Sequence, residues 1–204
     1  MSVIALPASP RYNAGSPFLL SQAADLVSPL GGVTQRISRL GTRFGIDVEY
    51  PAMKYADGQA FLAAMIAAEV SPVAVEFPQR GFAVGAPGNP VVNGGGQTGA
   101  TLAVRSGAAG YAFQAGQFFD FVTSYGGVNR RFVHMVTATT ALSGGGAATL
   151  PIWPLLRVSP NDGDALEVSA PKLEGFIQLA SKKLPWTIEM VRRVGVKFTV
   201  VEDR

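Results

Sequence analysis

Hydrophobic and polar positions alternate along much of this chain. Phe44, Ile46, Val48 and Tyr50 interleave with Gly45, Asp47 and Glu49, the period of two expected of a strand with one apolar face. Just upstream, Arg36, Ser38, Leu40 and Thr42 alternate with Gln35, Ile37, Arg39 and Gly41. Residues 34–50 therefore read as one long strand broken at Gly41, or as two strands. The pattern turns helical only once. Phe61, Leu62, Met65 and Ile66, extended by Val70, mark the apolar face of a helix over 57–70. Asp57 is its expected cap, alanines at 60, 63, 64, 67 and 68 favour it, and Pro72 ends it. A short buried strand over 73–77 follows.

After Pro78 the composition shifts, with glycine at 81, 85, 88, 94, 95, 96 and 99. From there the chain reads as short strands between turns, over 101–105, 117–123, 131–138, 147–152, 165–169, 175–179, 187–190 and 195–201. Many short strands at turn spacing predict a sandwich or a barrel. Residues 1–32 differ again. Pro7, Pro10, Pro17 and Pro29 prevent a long helix. They predict an extended arm that packs on a neighbour or along its own domain.

Composition narrows the functional classes. Of 204 residues, 48% are apolar and only 15% charged, against roughly 25% charged in ordinary soluble domains. So little charge suggests that partner subunits cover part of the surface. No cysteine is present, which excludes disulfides and thiolate chemistry. The net charge is +3. The bases are scattered apart from Arg36, Arg39 and Arg43 and the pairs Arg130-Arg131, Lys182-Lys183 and Arg192-Arg193. A nucleic-acid footprint needs a denser stripe with stacking aromatics, so no specific nucleic-acid binding is expected. The apolar run over 60–70 is too short to span a bilayer, and no secretion signal is visible at the start.

Motifs with catalytic associations lack their structural context. Gly94-x-Gly96-x-x-Gly99 matches a dinucleotide fingerprint in letters, but the residues after it read as a strand. The fingerprint needs a helix there, whose N-terminus meets the pyrophosphate. A tight turn explains it. Ser169-x-x-Lys172 contains Pro171 and no helix to set Ser one turn from Lys. His134 is the sole histidine and shares a strand face with Phe132 and Val136, the setting of a packed core residue. Asp162 and Asp164 belong to the turn Asn161-Asp162-Gly163-Asp164. No catalytic, cofactor or metal residue is assigned, and no enzyme activity is expected.

Several segments together resemble a known family. GGGQTGATL (94–102), AGQFFDF (115–121), RFVHMVTATT (131–140) and GGGAATLPIWPLLRVSPNDGDALEV (144–168) resemble a module of tail proteins of long-tailed, siphovirus-like bacteriophages. KYADGQAFLAAMIAAE (54–69), followed by Phe77-Pro78, resembles the single helix of those proteins. The likeness spans about residues 34–180. It departs at Gln117 and Thr139, where the family pattern has Asp, and at the hairpin insert 124–129.

The resemblance implies a distal tail protein or a neighbouring minor tail protein. Such a protein is a structural subunit of the tail tip or baseplate, made in the host cytoplasm and carried in the virion. Its ring, commonly a hexamer, joins the tail tube protein to the tail hub protein, with tail fibres as further partners. The fold implied is mainly β: a tail-tube-like β-sandwich flanked by one α-helix, with an inserted small β-barrel. The division would be an arm over 1–32, a sandwich over 33–84 and 156–204 carrying helix 57–70, and an inserted barrel over 85–155. Arg36, Arg39, Arg43, Phe119 and Phe121 are the candidate subunit-interface residues. A receptor- or carbohydrate-binding role is the alternative, with Tyr111, Tyr125 and Trp153 as the aromatics to face a ligand.

Overall fold

A computed structural model describes residues 2–7, 9–27, 31–179, 192–193 and 196–203. Its first strands are β1 (Ile4–Ala5), β2 (Ala14–Leu20), β3 (Ala24–Leu26), β4 (Gln35–Ile37) and β5 (Arg43–Glu49). The alternation in β5 has the expected outcome: Phe44, Ile46 and Val48 are buried while Asp47 is exposed. Residues 34–50 form two strands, not one, and Gly41 lies in the turn between them. β2 pairs antiparallel with β5 from Ala14↔Glu49 to Leu20↔Arg43. The N-terminal segment thus runs along its own domain as a sheet edge.

Next come β6 (Met53–Lys54), the helix α1 (Tyr55–Ala67) and β7 (Val73–Glu76). The helix differs from the expected 57–70 at both ends. It begins two residues earlier, and Lys54 occupies the N-cap without a side-chain cap bond. Asp57 lies in the first turn instead, where its charge complements the helix dipole. Gly58, Phe61 and Met65 face inward. Ile66 and Val70, expected on that buried face, are 56% and 69% exposed. A stripe of Phe61 and Met65 alone suffices to seat the helix on Tyr50 and Phe198.

The Gly-rich region then forms β8 (Gly88–Val92), β9 (Gly99–Gly107), β10 (Ala112–Phe113), β11 (Phe118–Tyr125), β12 (Val128–Val136), β13 (Thr140–Ala141), β14 (Ala148–Leu156) and β15 (Leu166–Glu167). Six of these make one sheet in the order β15-β11-β12-β14-β9-β8. The sheet curls until its edges meet, with Val91 bridging Ala165 and the Val92 N–H donating to the Asp164 carbonyl at 2.9 Å. The result is a nearly closed barrel filled by Leu102, Val104, Phe113, Phe119, Phe121, Leu150 and Ile152. Its closing strand, β15, lies beyond the expected boundary at 155. Leu166 and Glu167 join the barrel sheet by pairing antiparallel with Phe121 and Asp120 of β11.

The last strands are β16 (Lys172–Gln178), β17 (Arg192–Arg193) and β18 (Lys197–Glu202). They complete a second six-stranded sheet, β1-β7-β16-β18-β5-β2. One face of it carries Phe44, Ile46, Val48, Val73, Val75, Leu173, Phe198 and Val200. Against this face pack Phe61 and Met65 of α1, and Phe118, Val133 and Met135 from the outer wall of the barrel. The chain is mainly β with one helix among the described residues. The layer opposite the sheet is the helix together with the β11–β12 wall. The strand expected over 187–190 lies outside the described residues.

Candidate functional site

A buried polar cluster lies where the barrel meets the sheet. Glu202, near the end of β18, is 2% exposed. Its carboxylate accepts the Val133 N–H at 2.8 Å and the Phe44 N–H at 3.4 Å, and Arg157 Nη2 lies 2.6 Å away. Three segments of the fold thus converge on one side chain. Burial pushes the Glu202 carboxyl up to about 7, against the opposing pull of Arg157 and the two N–H groups. The Arg157 guanidinium also stands 5.2 Å from the centre of the Phe132 ring and donates to the Asp203 carbonyl at 2.8 Å.

Two further pairs flank it. Arg130 lies 3.4 Å from Glu174 and 3.5 Å from Asp203. Burial raises the Glu174 carboxyl, with Arg130 opposing. Asp120 is fully buried, paired with Arg131 at 2.5 Å, and accepts the Lys172 N–H at 2.6 Å. Burial pushes it up to about 6, with Arg131 opposing. Each of these acids has its hydrogen-bonding partners within the chain. That is the chemistry of a structural junction, which holds two sheets in register.

His134 is 1% exposed and stacks between Phe119 and Phe121, with ring centres 6.0 and 5.4 Å away. Its Nδ1 lies 3.0 Å from the Pro154 carbonyl, an acceptor, so that nitrogen carries the proton. Burial first, and then the Arg157 charge, lower its pKa to about 3. The only histidine in the chain is therefore a neutral core residue, as its strand position implies.

The glycine fingerprint is a turn. Gln97 fills it, donating from Nε2 to the carbonyls of Asn93, Gly94 and Ala103 and accepting the Ala103 N–H at 2.6 Å. β9 follows directly, with no helix to receive a pyrophosphate. The acidic turn pins the barrel seam: Asp162 pairs with Arg105 at 2.7 Å and accepts the Gly94 N–H at 2.7 Å. Ser169 and Lys172 flank the bend that enters β16, and Glu167 accepts the Ser169 N–H. Among the described residues, no group of three His, Asp or Glu is placed to hold a metal ion. Among the same residues, no helix is long and apolar enough to cross a membrane.

The residues expected to face partners separate into three groups. Phe119 and Phe121, expected at a subunit interface, are 0% and 1% exposed inside the barrel. This corrects the expectation: strand alternation turns both inward, and their rings are spent on His134. Arg36 lies on β4, exposed and 3.8 Å from Asp25, and Arg39 is also exposed. Arg43 is half-buried on β5, opposite Leu20. Tyr125 is exposed at the tip of the β11–β12 hairpin. Tyr111 is half-buried, edge-on to Phe113, and its hydroxyl accepts from Gln117 Nε2 at 2.8 Å. Trp153 is half-buried on β14 and alternates with the inward Ile152. Trp153 pairs with Met135 and Tyr125 with Val128. The two aromatics are thus roughly 24 Å apart along β12 at about 3.4 Å per residue.

One surface was not anticipated. β3 and β4 form a hairpin of their own, with register Ala24↔Ile37 to Leu26↔Gln35. Leu26, Val27, Val33, Ile37 and Leu40 are exposed on and around it. The available signal was a set of large apolar residues in a stretch where proline and glycine obscure any period. No protein-family model and no curated protein sequence matches this chain.

Proposed function

We propose that this chain is a structural, non-enzymatic subunit of a bacteriophage tail tip. In this reading it is a distal tail protein whose ring, a hexamer, joins the tail tube protein to the tail hub. The observation that carries the reading is the β3–β4 hairpin. It leaves five large apolar residues in water, with Val33 95% exposed. A two-stranded hairpin is marginal on its own, and one with an apolar surface needs a partner. The low charge content, the resemblance over residues 34–180 and the inward use of the sole histidine all fit a part built for assembly.

The glycan-binding alternative has weaker support. Tyr125 and Trp153 do not share a platform, and the Tyr111 hydroxyl is already engaged by Gln117. Light scattering and negative-stain microscopy on purified protein test the main reading. A closed ring, or one formed on adding tail-tube protein, is expected. A monomer at high concentration that stays monomeric with tail-tube protein overturns it.

A further inference from the structure

A cleft of about 340 Å³ opens beside the link that joins β7 to β8. Three stretches of chain build it. Arg11 and Tyr12 come from the segment before β2, Gln79, Arg80 and Phe82 from the link, and Ser169 from the bend that enters β16. Two of its polar side chains are fixed from within. The Gln79 amide donates to the Val168 carbonyl and accepts the Phe118 N–H at 3.0 Å. The Tyr12 hydroxyl donates to the Glu76 carbonyl at 2.9 Å. Burial pushes that phenol up to about 12, Glu76 adds to the rise, and Arg80 and Arg11 oppose it. The phenol therefore keeps its proton, and both guanidinium groups act on it.

The charges around the cleft do not balance. Arg11 lies 3.9 Å from Glu76 with its side chain 80% exposed, a loose contact. Glu76 also stands opposite Lys172 across the β7–β16 ladder. The Glu167 carboxylate is turned to the N–H groups of Ser169 and Ala170. Arg80 is exposed and has no carboxylate partner among the described residues. Arg11, Arg80 and Lys172 thus stand against Glu76 and Glu167, and Arg80 is the cation left over. Phe82 and Val84 add an apolar wall, with the Phe82 ring resting on Gly116 of the barrel.

We propose that this cleft binds a small organic monocarboxylate, with Arg80 taking the carboxylate and Phe82 and Val84 the apolar body. A guanidinium presents a planar fork that matches a carboxylate. An excess of one positive charge suits a monoanion, and Glu76 disfavours a phosphate dianion through like-charge repulsion. Ligand cavities run from about 300 to 1,000 Å³, so a cleft at the low end takes a body on the order of one aromatic ring. The site does not depend on assembly into a ring.

Ligand-observed NMR on the full chain tests it, with phenylacetate, phenyl phosphate and benzyl alcohol as probes. Phenylacetate should bind with a Kd of about 1 mM. Benzyl alcohol lacks the charge and phenyl phosphate carries more of it, so each should bind about tenfold more weakly. No saturation by phenylacetate up to about 20 mM overturns the site. So does benzyl alcohol binding as tightly as phenylacetate. Tighter binding of phenyl phosphate overturns the carboxylate assignment.

Two substitutions locate the binding. Arg80→Gln should raise the Kd for phenylacetate about tenfold. Arg39→Gln removes an exposed arginine outside the cleft and should leave the Kd unchanged. Both arginines are exposed, so thermal melts should show both variants as stable as the parent. An unchanged Kd in Arg80→Gln overturns the site. An equal loss in both variants shows diffuse charge attraction and overturns it as well.

Discussion

Arg157 and Glu202 form an ion pair at 2.6 Å in the seam between barrel and sheet, with both side chains nearly out of water. Arg157 directly follows β14, and Glu202 is the last residue of β18. The pair therefore ties the last strand of the chain to the barrel, and Val133 and Phe44 donate to the same carboxylate.

Arg157→Met should destabilise the protein by about 3–5 kcal/mol at pH 8, because it strands a buried carboxylate. The loss should shrink at pH 5. Burial raises Glu202 from 4.5 to about 7, so the folded chain holds its proton where the unfolded chain has lost it. The stability linked to that proton is fully present below pH 4.5 and is lost as pH rises through 7. At pH 5 the mutant carries a neutral acid and not a stranded charge. Urea unfolding at the two pH values measures the difference.

His134 has the opposite sign. Its folded pKa is lowered from 6.5 to about 3. Between these values the unfolded chain binds a proton that the folded chain refuses, so this contribution is present above pH 6.5 and is lost as pH falls towards 3. His134→Gln should flatten the acid limb of the stability profile. An unchanged slope between pH 6.5 and 4 would count against the buried, neutral imidazole.

Phe77 links the two layers. Its ring lies 5.7 Å from Phe44 of the sheet and 4.7 Å from Phe118 of the barrel wall. Phe77→Ala should cost about 3–5 kcal/mol. Calorimetry should show whether barrel and sheet then still melt in one transition.

Two glycines separate packing from backbone strain. A Cβ on Gly175 would lie 2.0 Å from the Val201 carbonyl oxygen, on the neighbouring strand. Gly175→Ala should therefore force β16 from β18 and lower the thermal midpoint sharply. Gly110 has φ +72° and nothing within 4 Å. Gly110→Ala should cost only the left-handed backbone term, about 1–2 kcal/mol. Thermal melts of the two variants should rank accordingly.

Local pattern alone determined a good part of this protein. Alternation at 44–50 identified β5 and its inward residues. Phe61 and Met65 located the helix, and turn spacing after Pro78 identified the β-rich character of the remainder. The same kind of reading placed His134 in a core and made a turn of Gly94–Gly99. These properties depend on neighbours within a few residues, where period and turn chemistry act directly.

The tertiary structure decided what local pattern could not. Phe119 and Phe121 share one strand face by alternation, and only the closure of the barrel makes that face an interior. Glu202 lies 45 residues from Arg157 and Asp120 lies 11 from Arg131, and each pairing follows from how β18 docks on the end of β14 and how β11 pairs with β12. The exposed apolar residues on and beside β3 and β4 are visible only once the sheet has its edge at β2. Burial, pairing and exposure are set by the segments that pack from afar, and a single strand carries no record of which segments those are.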